Sequence, residues 1–143
     1  MSLTGTYDSE NIFAKIMRGD MPCVKIFEDG GVIVFMDAFP QSKGHVLVVP
    51  KAPSRNLLEV APKDIGRLFG AVQRIATAVD KALSPDGITV TQFNGAPAGQ
   101  TVFHTHVHII PRYEGESLKG HSGAAMADMK DLESIAALIR AAL

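Results

Sequence analysis

His104, His106 and His108 alternate with Thr105, Val107 and Ile109. Side chains of a β-strand alternate between its two faces. A strand therefore puts all three imidazoles on one open face and the apolar partners on the core, whereas a helix would scatter the rings around its circumference. A row of three weakly basic rings brings no packing benefit that Thr or Val would not give. Two chemistries fit it. One is metal binding, since histidines two apart on a strand can chelate an ion and His is a common zinc ligand. Such a site needs a further carboxylate or histidine. No Asp or Glu lies between Asp86 and Glu114, so His45 and His121 are left to complete it. The other is nucleophilic catalysis. A neutral imidazole attacks an electrophilic phosphorus while its neighbours hold the phosphate oxygens and protonate the leaving group.

The residues ahead of the row favour phosphorus. Residues 95–101 read Gly-Ala-Pro-Ala-Gly-Gln-Thr. The glycines let the backbone approach a phosphate closely, and Gln100 and Thr101 add uncharged hydrogen-bond donors. Histidine's ordinary pKa of about 6.5 leaves most such rings neutral, and so nucleophilic, near neutral pH.

The elements that must carry these residues follow from the flanking pattern. Asn11 caps a short helix to about Arg18, with Ile12, Phe13, Ile16 and Met17 apolar and Gly19 as its stop. Residues 24–28 and 32–37 read as a hairpin around Asp29-Gly30-Gly31. A third strand runs over 45–49. The clearest helix spans 62–83, where Ile65, Leu68, Phe69, Val72, Ile75, Ala76, Val79 and Leu83 share one face. Strands over 88–93 and 103–111 follow. A helix over about 128–143, with Leu132, Ile135, Ala136, Leu138, Ile139 and Leu143 apolar, closes the chain. Hairpins plus one long helix argue for an α+β domain on an antiparallel sheet. Residues 1–10 read as a flexible lead-in and 11–143 as a single domain.

Composition removes other classes. The chain has 143 residues, 46% of them hydrophobic and 20% charged, as one globular domain would. Lys and Arg number 14 and Asp and Glu 15, a net charge of −1 that leaves no electrostatic footprint for long nucleic acid. No apolar run reaches the roughly 18 residues of a membrane span, and residues 1–10 do not read as a signal peptide. The single cysteine, Cys23, excludes an intrachain disulfide and fits a reducing, cytoplasmic setting.

Gly99-Gln100-Thr101-Val102-Phe103-His104-Thr105-His106-Val107-His108-Ile109-Ile110 resembles the signature of the histidine triad (HIT) family, His-φ-His-φ-His-φ-φ with φ apolar; Thr105 is the one polar departure. Residues 12–19, 35–37 and 44–51 resemble the family as well, in particular its bacterial nucleotide-binding branch. The resemblance implies the HIT fold, a five-stranded antiparallel sheet with one long and two shorter helices. It implies homodimers in which two such sheets join into one of ten strands. It further implies hydrolysis of a purine nucleoside 5′-monophosphate joined to a leaving group, as in a phosphoramidate or dinucleoside polyphosphate.

In that scheme His106 is the nucleophile that becomes a nucleotidyl-histidine, His108 contacts phosphate oxygens, His104 orients the active ring and His45 supports the site. Transferase branches carry Gln where His108 stands, so His108 points to hydrolases. Gly99, Gln100 and Thr101 bind the phosphate, Asp37 the ribose hydroxyls, and Phe13, Ile16 and Phe35 line the base pocket. Phe93 stands where relatives often place Asn, with Asn94 adjacent as a substitute. Many bacterial relatives hold a zinc through Cys-x-x-Cys, a histidine near the long helix and the first triad histidine. Here those places hold Asn11, Ala14 and Pro53, leaving only His104. The expectation is no metal and no cofactor. The alternatives are a metal-binding protein built on the histidine row and a nucleotide-binding module without turnover.

Overall fold

A computed structural model describes residues 3–118 and 125–143. His121 lies outside the described residues. The chain runs α1 (Ile12–Met17), β1 (Lys25–Glu28), β2 (Val32–Met36), β3 (Val46–Pro50), α2 (Pro62–Leu83), β4 (Gly87–Thr91), β5 (Val107–Arg112) and α3 (Met129–Ala141). Single 3-10 turns at Leu57–Glu59 and Ala96–Ala98 interrupt the connections. The strands form one antiparallel sheet in the order β1-β2-β3-β5-β4. The fold is α+β.

Strand alternation sorts the sheet into two faces. Val32, Val34, Met36, Val46, Val48, Val107 and Ile109 face α2 and α3 and build the main core with Leu68, Val72, Ile75, Val79 and Ile139. Ile33, Phe35, Leu47 and Val49 face the other way and pack with Phe13 of α1. His45, His106 and His108 follow the second parity, so the fold delivers them to the α1 side.

Local chemistry sets the ends. The Asn11 side chain accepts from the Phe13 and Ala14 N–H groups and starts α1. Pro62 opens α2, where a missing N–H costs nothing, and Ser84 in the left-handed conformation closes it. The apolar stripe of α2 is narrower than the spacing implies, because Phe69 is 40% exposed. Leu138 of α3 and Leu143 beyond its end also stay exposed, while Leu132, Ala136 and Ile139 are buried.

One strand differs from expectation in a way that matters for the site. Pairing of β3 with β5 stops at Val48 and Val107, so His104, Thr105 and His106 precede the strand rather than belong to it. Two residues past Val48, Pro50 has no N–H to give to a ladder. The chain there is instead tied to the connection after β3, where the Thr105 N–H donates to the Ser54 carbonyl at 2.9 Å.

Candidate active site

The histidine face is not open. His45, His104, His106 and His108 are all buried. Phe13 of α1 sets its ring edge-on to His106 at 4.8 Å between centroids and touches Phe35 at 5.5 Å. Ile16 packs in the same cluster. The rings of His106 and His108 are 5.0 Å apart, and Phe93 stands edge-on to His108 at 5.5 Å. The His104 ring is directed to Tyr7 and Pro50, a consequence of its lying outside the strand.

Hydrogen bonds assign the proton on each of these four histidine rings. A carbonyl oxygen only accepts, and a backbone N–H only donates. His106 Nδ1 lies 2.7 Å from the His104 carbonyl oxygen, so it carries the proton, and the lone pair of the neutral ring is on Nε2. His104 Nε2 lies 2.7 Å from the Pro50 carbonyl oxygen and donates to it, so its Nδ1 accepts from the Tyr7 hydroxyl at 2.6 Å. Burial holds the His104 pKa below its ordinary value, with the bond to Pro50 opposing in part. His45 Nδ1 accepts from the Gln41 N–H at 3.0 Å, which puts the His45 proton on Nε2. That proton faces His108 Nδ1 at 3.0 Å and the Asp37 carboxylate at 3.4 Å. His108 Nδ1 is then an acceptor, and His108 presents an Nε2–H donor. A lone pair on one ring thus sits beside an N–H on the next.

Asp37 is buried, with one carboxylate oxygen taking the Phe39 N–H at 2.8 Å and the other toward His45. The loop before the histidines is braced from within. Gln100 is buried; its Oε1 accepts from the Gly95 N–H at 2.8 Å and its Nε2 donates to the carbonyls of Arg55 at 2.6 Å and Val102 at 3.0 Å. Asn94 Oδ1 accepts from the Leu57 N–H at 3.0 Å, while the Gln92 and Asn94 amides pair with each other. Gly99 has φ +107°, and a Cβ there would meet the Phe93 ring at 3.4 Å. Gly99 and Thr101 are exposed on the rim of this loop.

Residues 18–115 match the family model described as the HIT domain. The chain belongs to the HIT family. It is 39% identical to a protein of Arabidopsis thaliana named adenylylsulfatase HINT3, across 83% of this chain and 64% of that protein's length. A solved Hit-like protein from Bartonella henselae is 50% identical, with a TM-score of 0.89 over 96% of this chain and 100% of that one. A structure from Sulfolobus tokodaii called a hypothetical histidine triad nucleotide-binding protein is 29% identical, with a TM-score of 0.83 over 91% and 89% of the two chains.

Two features of this HIT domain bear on a metal. Where the resemblance would put a zinc ion, Asn11 spends its side-chain carbonyl on capping α1, and both nitrogens of His104 are engaged by Tyr7 and Pro50. These residues do not fit a zinc ion. Asp37, His45 and His108, all buried, bring one ligand atom each within 4.8 Å of one another. A metal on His45 Nε2 would have to displace the proton that the Gln41 N–H keeps there.

Sequence reasoning missed four contributors, Tyr7, Gln41, Pro50 and Ser54. Gln41 and Pro50 act through the backbone, which carries no residue-type signal. Tyr7 is one aromatic in a polar lead-in. Ser54 could have been suspected from the polar Thr105 in an apolar register, which calls for a buried partner.

Proposed function

We propose that this HIT protein binds a purine nucleotide and hydrolyses the bond between a nucleoside 5′-monophosphate and its leaving group through a nucleotidyl-histidine on His106. The observation that carries this reading is the 2.7 Å bond from His106 Nδ1 to the His104 carbonyl oxygen, which puts the lone pair on Nε2. That nitrogen attacks the α-phosphorus, and the bond from phosphorus to the leaving group breaks. The leaving group takes a proton relayed from solvent by the exposed Thr101 hydroxyl. The His106 ring becomes cationic, which strengthens its N–H bond to the carbonyl. His108 donates Nε2–H to a phosphoryl oxygen, a donor aimed where charge develops. Water then attacks phosphorus, the phosphorus–nitrogen bond breaks, and nucleoside 5′-monophosphate leaves with the second water proton returned to solvent. Gly99, Gln100 and Thr101 hold the phosphate by their loop, Gln100 by bracing it. Asn94 anchors the same loop, Asp37 takes the ribose hydroxyls, and Phe13, Ile16 and Phe35 bound the base pocket.

The name of the Arabidopsis relative supports an adenylyl group joined to a good leaving group as the substrate class. By the same reading the working form is a cytoplasmic homodimer, its two sheets joined edge to edge. Lone Cys23 and the absence, among the described residues, of a helix long and apolar enough to cross a membrane support that setting.

The test is turnover of adenosine 5′-phosphoramidate, diadenosine polyphosphate and adenylyl sulfate by the wild-type protein and by His106→Ala. Loss of turnover by at least about a thousandfold in a folded His106→Ala protein is expected. Wild-type rates in that variant refute the scheme. A second reading, metal chemistry at Asp37, His45 and His108, rests on their convergence. Persistence of activity in a chelator excludes it, and the proton on His45 Nε2 already speaks against it.

A further inference from the structure

The segment 104–106 carries the proposed nucleophile yet lies outside the β-ladder. Its position depends on side-chain ties. Thr105 is held by Ser54, through its N–H and through its hydroxyl. His104 is held at both ring nitrogens, by the Pro50 carbonyl at 2.7 Å and by the Tyr7 hydroxyl at 2.6 Å. The Tyr7 ring also stands edge-on to the His104 ring, 5.6 Å between centroids. The carbonyl of His104 is the group that takes the His106 proton.

Tyr7 is itself secured. Leu3 and Thr6 offer their carbonyls to Asn56 Nδ2 at 2.9 Å and to the Arg55 guanidinium at 3.4 Å. On the other side, the Ser9 carbonyl accepts from Arg18 at 2.7 Å and the Asp8 carbonyl from the Asn11 side chain at 2.7 Å. The lead-in is laid across the outside of the site with one side chain turned in.

We propose that Tyr7 is a positioning residue for the nucleophile. Its hydroxyl holds the His104 ring, whose tautomer the Pro50 carbonyl sets, in one orientation, and the His104 carbonyl then holds His106 with its lone pair on Nε2. This rests on the hydrolase reading above only for its kinetic consequence. The physical logic is a forced choice. Pro50 demands a proton on His104 Nε2, which leaves Nδ1 an acceptor in the interior. Only a donor such as the Tyr7 hydroxyl satisfies it. Without that hydroxyl Nδ1 is a stranded acceptor, and the ring turns to relieve it, which moves the main chain that aims His106. Small misplacements of a reacting group cost rate far more than they cost binding.

Tyr7→Phe keeps the ring contact and deletes the hydroxyl. The expected result with adenosine 5′-phosphoramidate is a fall in kcat of about tenfold with KM within about twofold. In the free protein, side-chain nitrogen NMR of the histidines is expected to show His104 Nδ1 losing its hydrogen bond and His106 no longer a single tautomer. Replacing Tyr7 by 3-fluorotyrosine changes hydroxyl acidity at nearly constant shape and is expected to move the same resonances. Unchanged kcat in Tyr7→Phe overturns the proposal. So does a loss of rate with the His106 resonances unmoved, or fluorotyrosine spectra that match wild type. If the wild-type protein cleaves no nucleotide, the hydrolase reading falls. The NMR comparison of free wild type and Tyr7→Phe then still decides Tyr7, a shift at His106 supporting it and none refuting it.

Discussion

The hydroxyls of Ser54 and Thr105 lie 2.7 Å apart in the interior. They join the connection after β3 to the segment that carries the proposed nucleophile. A valine at 105 would suit the family pattern and fill nearly the same volume, but it would leave the Ser54 hydroxyl without this partner. Thr105→Val is expected to destabilise the fold by about 1–2 kcal/mol, the cost of stranding the buried Ser54 hydroxyl, and Ser54→Ala by less, because the Thr105 hydroxyl keeps the Ser54 carbonyl at 3.3 Å. The double variant is expected to lose less than the sum. Chemical denaturation of the four proteins measures it, and strict additivity would show that the pair does not act as a unit.

His45 sets the tautomer of His108 by donating Nε2–H to its Nδ1 at 3.0 Å. Under the proposed mechanism, His45→Ala lets His108 place its proton on Nδ1 and withdraws the donor from the phosphoryl oxygen. A loss of about ten- to a hundredfold in kcat/KM is expected, somewhat below the full loss of such a donor. His45→Gln retains an N–H that can face His108 and should keep more activity than His45→Ala. Steady-state kinetics on an adenosine phosphoramidate gives the order. Equal rates for the two variants would count against tautomer control.

His104 folds neutral, and burial holds its pKa below the ordinary value. The unfolded chain takes up that proton near pH 6.5. Its contribution to stability is therefore complete above about pH 6.5 and declines as pH falls from there toward the folded pKa. The slope for one such ring is at most about 1.4 kcal/mol per pH unit. Unfolding free energies of the wild type and His104→Asn from pH 7.5 down to 5 should show the shallower dependence in the variant. Parallel curves would mean that His104 does not fold neutral.

Much of this molecule is legible in its sequence. Amphipathic spacing locates α2 at Pro62–Leu83, and the hairpin signal at Asp29-Gly30-Gly31 locates β1 and β2. These succeed because each rests on local chemistry: a helical apolar stripe, a proline at a helix start, a turn whose Asp29 carboxylate accepts from the Gly31 and Val32 N–H groups. Parity along the chain also assigns His106 and His108 to one side of the sheet, because strand alternation is a property of the backbone. The row itself, with Gly99-Gln100-Thr101 before it, is enough to identify the family.

What the sequence could not supply are the relationships between segments far apart in the chain. Alternation alone makes His104, His106 and His108 equivalent. Tertiary structure separates them, because Pro50 ends the ladder and turns His104 to Tyr7, 97 residues away. Gln100 reads as a phosphate donor by type, yet its amide is spent on Gly95, Arg55 and Val102. The protonation of His106, His45 and His104 is decided by backbone groups of His104, Gln41 and Pro50, and every residue type but proline offers the same N–H and every residue the same C=O. Residue types and spacing thus determined which groups this protein has for chemistry. Only the packed chain decided which nitrogen of each histidine bears the proton, because that depends on which fixed donor or acceptor folding brings against it.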